Sequence, residues 1–169
     1  QIRDIPVLDE IDRVEALVSQ VEYTNTTSIV LFLKSIPVSI ELADGVTLYE
    51  GSLWDLLHEP CWESNDPLEC HLWLALDATG PDGREGLRRD MVSVVFDTLS
   101  PEVRSMLLNE AGTKALVYVD QPYMNLNYAE TLRDEIDVIL SEETLLQDTR
   151  SSRLTGCLLY TSPSPRDSR

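Results

Sequence analysis

The sequence predicts an α+β fold, a single domain of five or six helices packed beside a small, three- to four-stranded, mainly antiparallel sheet. Three observations predict it. Apolar residues recur at helical spacing near both ends, at Val7, Leu8, Ile11, Val14, Leu17, Val18 and Val21, and again at Leu132, Ile136, Ile139 and Leu140. Between them Ile36, Val38, Ile40 and Leu42 alternate with Ser39 and Glu41 and run into Asp44-Gly45, the signature of a strand entering a hairpin turn. The chain has 169 residues, 43% of them hydrophobic, which is enough for one core and too few for two comfortable ones.

The elements follow in order. Residues 7–21 form an amphipathic helix with Asp9, Glu10, Asp12 and Glu15 on its wet side, and Asn25, Thr26 and Thr27 break it. Ser28 to Leu33 is short and apolar throughout, and reads as a buried strand. The strand over 36–42 turns at Ala43-Asp44-Gly45 and returns as Val46 to Tyr49. Ser52 caps a short helix from Leu53 to Glu59. Asp66-Pro67 followed by Glu69 starts a helix running to Ala78, with Leu68, His71, Leu72, Ala75 and Leu76 on one face. Gly80-Pro81-Asp82-Gly83 reads as a solvated turn; its acids do not follow the order of a calcium loop, and Gly80, Gly83 and Gly86 follow no strand as a phosphate loop requires. A helix spans about Arg84 to Leu99, Ser100-Pro101-Glu102 opens another through Leu107, and Gly112 stops it. Ala115 to Val119 is an apolar strand, and a final helix runs from Asn127 toward Gln147.

The two ends differ in character. Residues 157–167 resemble, codon by codon, a translated transposase-type sequencing adaptor, so residues 151–169 are expected to be a disordered tail on a domain of residues 1–150. Gln1 is not a start methionine, and the N-terminus is expected to be a fragment edge.

Charge narrows the function classes. The formal net charge is −17. Residues 151–169 carry three arginines and one aspartate, so the first 150 residues hold 10 basic and 29 acidic side chains, a net of −19. Only Lys34 and Lys114 are lysines. Such a surface repels phosphate, which excludes nucleic acid as the main partner. Acid-rich, lysine-poor exteriors also suit a high-salt cytoplasm, where salt screens self-repulsion. No apolar run reaches the roughly 18–20 residues of a membrane span, and a cytoplasmic location is expected.

Cysteine and histidine cluster. Outside the tail all four lie within residues 58–71, as His58, Cys61, Cys70 and His71. Two imidazoles and two thiols can make a tetrahedral zinc site, but the spacing H-x2-C-x8-C-H is not that of a standard finger. Adjacent Cys70 and His71 on a helix diverge by about 100°. The plainer expectation is two buried thiols and two ordinary histidines. A Cys61–Cys70 disulfide is a third reading; it needs an oxidising compartment, which the sequon Asn25-Thr26-Thr27 also fits.

Catalytic parts are scarce. There is no nucleophile elbow, no phosphate-loop lysine and no H-E-x-x-H, since Pro60-Cys61-Trp62 follows His58-Glu59. The Cys–His combinations near in sequence are Cys61 with His58 and Cys70 with His71, and Cys61 with His71 if the loop folds back. Aromatic anchors are better supplied: Trp62 in a Pro/Asn/Asp loop is the best candidate for exposed recognition, with Trp54, Trp73, Tyr123 and Tyr128 beside it. The final helix, an apolar stripe flanked by acid, is the second docking candidate. The sequence is therefore read as a non-enzymatic interaction or assembly subunit of a microbial or viral complex, binding a protein partner or itself, without a cofactor. The alternative is a zinc-binding or Cys/His-dependent enzyme centred on residues 58–71.

Overall fold

A computed structural model describes residues 2–22, 24–64, 66, 72, 75–76, 80–120 and 126–142. Among these residues the chain forms six α-helices and four short strands, an α+β domain as the sequence predicts. The helices are α1 (Ile5–Val18), α2 (Ile29–Ser35), α3 (Leu53–Leu57), α4 (Gly80–Thr98), α5 (Pro101–Leu107) and α6 (Leu126–Glu142). The strands are β1 (Asn25–Thr27), β2 (Pro37–Glu41), β3 (Thr47–Ser52) and β4 (Tyr118–Asp120). They do not make one sheet. They form two antiparallel pairs, β2 with β3 and β1 with β4. The β2–β3 hairpin turns through Gly45 at φ 85°, and its register slips between Ile40 and Glu41. In the other pair Asn25 faces Asp120 and Thr27 faces Tyr118.

The core is assembled from Leu8 of α1, Ile29, Val30 and Leu33 of α2, Leu53, Leu56 and Leu57 of α3, Trp62, and Val92 and Phe96 of α4. Val38, Ile40 and Leu48 of the hairpin pack on its edge.

The segment expected to be a strand over 28–33 is helical from Ile29 onward. Ser28 is the reason: its hydroxyl accepts from the N–H groups of Val30 and Leu31, giving α2 an N-cap. Ile29, Val30 and Leu33 are then buried on one face while Leu31 stays 40% exposed.

Glu15 is not on the wet side of α1. It is 3% exposed, and its Oε2 accepts from the Ser28 hydroxyl. It stands seven residues after Leu8 and three before Val18, both buried, so helical geometry carries it into the apolar stripe.

The expected solvated turn at 80–83 is the first turn of α4. Gly80 takes φ 76°, Pro81 follows at the position where proline suits a helix, and Asp82 meets the positive end of the helix. The Arg84 guanidinium then donates from Nε to the Gly80 carbonyl at 3.2 Å.

The remaining expectations fall close to the observed elements. Ser52 caps α3 through the Asp55 N–H at 3.0 Å, and Ser100 caps α5 through the Val103 N–H at 3.3 Å. The strand read at 115–119 is the shorter β4, with an isolated bridge from Leu108 to Ala115 before it. The helix expected over 67–78 lies mostly outside the described residues.

Candidate functional site

The segment after α3 carries the first part of the His/Cys cluster, and α1 and α2 hold it. His58 sits at the C-terminal end of α3, half-buried. Its Nδ1 lies 2.8 Å from the Trp54 carbonyl and its Nε2 lies 2.6 Å from Asp9 Oδ1. The imidazole also stacks on the Trp54 indole, with ring centroids 4.3 Å apart. Trp54 also meets the Lys34 ammonium, 5.2 Å from the ring centroid, and Lys34 Nζ donates to Asp12 at 2.6 Å. Asp9, His58, Trp54, Lys34 and Asp12 thus form one chain of contacts tying α3 to α1 and α2. Both ring nitrogens of His58 are occupied by acceptors, so neither is directed at a nucleophile or at an open ligand position.

Cys61 lies on a single turn of 3₁₀-helix, Pro60–Glu63, and is disulfide-bonded. In that state its sulfur is neither the thiolate nucleophile nor the thiolate ligand that a Cys/His centre requires. Among the described residues no three His, Cys, Asp or Glu side chains are grouped as a metal ion needs. Cys70 and His71, the other half of the expected cluster, lie outside the described residues, as do Trp73 and Tyr123; nothing is described of the Tyr128 side chain.

Trp62 corrects the expectation of an exposed recognition residue. It is 2% exposed, and its indole N–H donates to the Leu56 carbonyl. The physical cause is Arg84, itself 4% exposed, whose Nη1 donates to the Trp62 carbonyl at 2.8 Å and also to the Ser64 carbonyl. That guanidinium satisfies the loop's backbone and draws the loop onto α4, so the indole fills core rather than facing solvent. Arg88 adds a rim contact to Glu63 at 3.3 Å. Trp54 keeps a half-buried position, its indole already shared between His58 and Lys34.

The docking candidate that sequence reasoning placed second has a clearer geometry. The turn that follows α1, at Val21, and one face of α6 border an open groove of about 530 Å³, lined by Val21, Thr131, Asp134, Glu135, Val138 and Ile139. Ile136 turns inward and is 4% exposed, whereas Val138 is 51% exposed. The groove's lining thus joins three apolar residues, Val21, Val138 and Ile139, with two carboxylates, Asp134 and Glu135. The helical stripe of α6 signalled this; the contribution of Val21, more than a hundred residues earlier, did not show in the sequence.

Comparison with known family models, with curated proteins and with solved structures finds no match for this chain.

Proposed function

We propose that the chain is a non-enzymatic protein-interaction subunit, and that its docking face is the groove between α6 and the turn that follows α1, at Val21. The observation that carries this reading is an open groove that combines apolar residues, Val21 with Val138 and Ile139 of α6, and two carboxylates, Asp134 and Glu135. The complementary occupant is an amphipathic helix of a partner protein that brings apolar anchors and lysine or arginine beside them. A second copy of this chain is a poorer occupant, because two bodies of net charge −17 repel each other.

A helix-biased peptide display library tests the reading. Selection on the folded protein should enrich basic amphipathic sequences that bind saturably, weaken as salt rises, and lose affinity at least tenfold against Val138→Asp, a change at an exposed site that leaves the fold intact. Enriched peptides that ignore Val138→Asp, or no enrichment while the protein is folded and monomeric, would overturn it. Self-association that disappears in Val138→Asp would reassign the groove to a second copy.

A further inference from the structure

β1 consists of Asn25, Thr26 and Thr27, the acceptor triplet N-x-T with a non-proline residue in the middle, and the chain contains no second one. Asn25 and Thr27 are exposed while Thr26 is half-buried, so the amide and the hydroxyl two residues on share the outer face of the strand. Among the described residues no side-chain hydrogen bond engages Asn25 or Thr27, and β1 pairs on one edge alone, with β4. The triplet is therefore presented as an accessible, extended segment at the surface. An independent observation bears on where the domain matures: Cys61 is disulfide-bonded, a state that persists in oxidising compartments and is rare in a reducing cytosol.

We propose that Asn25 is an acceptor site for N-linked glycosylation, and that the domain matures in an oxidising, glycosylating lumen rather than in the cytoplasm. The donor is an oligosaccharide carried on a lipid pyrophosphate. The Asn25 Nδ2 forms a bond to the anomeric carbon and gives up one proton; the bond from that carbon to the pyrophosphate oxygen breaks, and the lipid pyrophosphate leaves with the electron pair. No oxidation or reduction is involved. A glycan here lies over a sheet that has two strands among the described residues, and it displaces no described contact.

The test is expression of the full chain behind a cleavable secretion leader in a eukaryotic host, followed by intact mass and peptide mapping of protein from the medium and from the lumenal membrane fraction. The expected result is a glycan on Asn25, released by an amidase that converts the residue to aspartate. It is absent from Asn25→Gln and Thr27→Ala and retained in Thr27→Ser. Cys61 should resist alkylation until reductant is added. Folded lumenal protein carrying an unmodified Asn25 overturns the acceptor assignment. Cys61 that alkylates without reductant overturns the compartment. Far-ultraviolet circular dichroism of the two sequon variants separates loss of the acceptor from loss of the fold, and Thr27→Ser keeps the acceptor readable in a near-native strand.

Discussion

Replacing Ser28 by alanine should be among the most damaging single-atom deletions in the protein. The hydroxyl does two things at once. It accepts from the Val30 and Leu31 N–H groups at 3.1 and 3.3 Å, and it donates to Oε2 of Glu15. Losing the cap costs about 1 kcal/mol. The second loss is larger in kind, because Glu15 is 3% exposed and its other oxygen, Oε1, has no hydrogen-bond partner among the described residues. Leaving a buried acceptor without its donor costs about 1–3 kcal/mol, and more when it is charged. The sum is roughly 2–5 kcal/mol, a large share of the roughly 5–15 kcal/mol that holds a domain folded. Urea titration followed by circular dichroism measures it, with the denaturant slope unchanged if the transition stays two-state. The double variant Ser28→Ala with Glu15→Leu should then be more stable than Ser28→Ala alone, because removing both polar partners removes the orphaned group. A Ser28→Ala cost below about 0.5 kcal/mol, within the range of an ordinary surface change, or a double variant whose cost is the plain sum of the singles, would refute the reasoning.

Further predictions concern the loop and the hairpin. Trp62→Ala should cost about 3–5 kcal/mol as a core truncation, and Trp62→Phe much less, read by the same urea titration. Arg84→Lys should destabilise by more than a surface change, because an ammonium cannot reproduce the fork that reaches the Trp62, Ser64 and Gly80 carbonyls; faster amide exchange at residues 60–64 is the readout. His58→Phe should cost no more than about 1 kcal/mol, the worth of a partly exposed polar contact, yet loosen α3 against α1 in hydrogen exchange. Burial, reinforced by the negative Asp55 and Glu59, raises the Tyr49 phenol above its usual 10.0. The folded state then holds that proton longer than the unfolded chain, so stability is intact below pH 10 and declines as pH rises beyond it. Tyr49→Phe should flatten that decline, and ultraviolet difference titration should show a late-ionising tyrosine in the wild type that is lost in Tyr49→Phe.

How much was readable in the sequence depended on the range of the interactions involved. Periodicity placed α1 and α6, and alternation ending in Asp44-Gly45 placed the β2–β3 hairpin, because these signals sit within one element. The caps Ser52 and Ser100 were legible for the same reason. Ser28 offered the same signal but was outweighed by the apolar run after it, whose six residues are too short for period alone to separate helix from strand. Glu15 is acidic, yet its spacing to Leu8 and Val18 puts it in the buried stripe of α1, so its chemistry misleads where its wheel position does not. Trp62 could not have been placed from local composition, since the Arg84 contacts that bury its loop cross about twenty residues. The Asp9–His58 contact spans 49 residues, and no local pattern announces it. Of the candidate docking sites, the apolar stripe of α6 was visible, and its complement at Val21 was not.

The groove between Val21 and α6 is the docking face proposed for a partner. Hydrogen–deuterium exchange on the protein alone and saturated with a display-selected basic helix reads this directly. The account predicts slowed exchange concentrated in residues 18–22 and 126–142, with Val138→Asp abolishing it. Protection confined to the β2–β3 hairpin or to residues 54–64, with α6 exchanging as in the free protein, would contradict it.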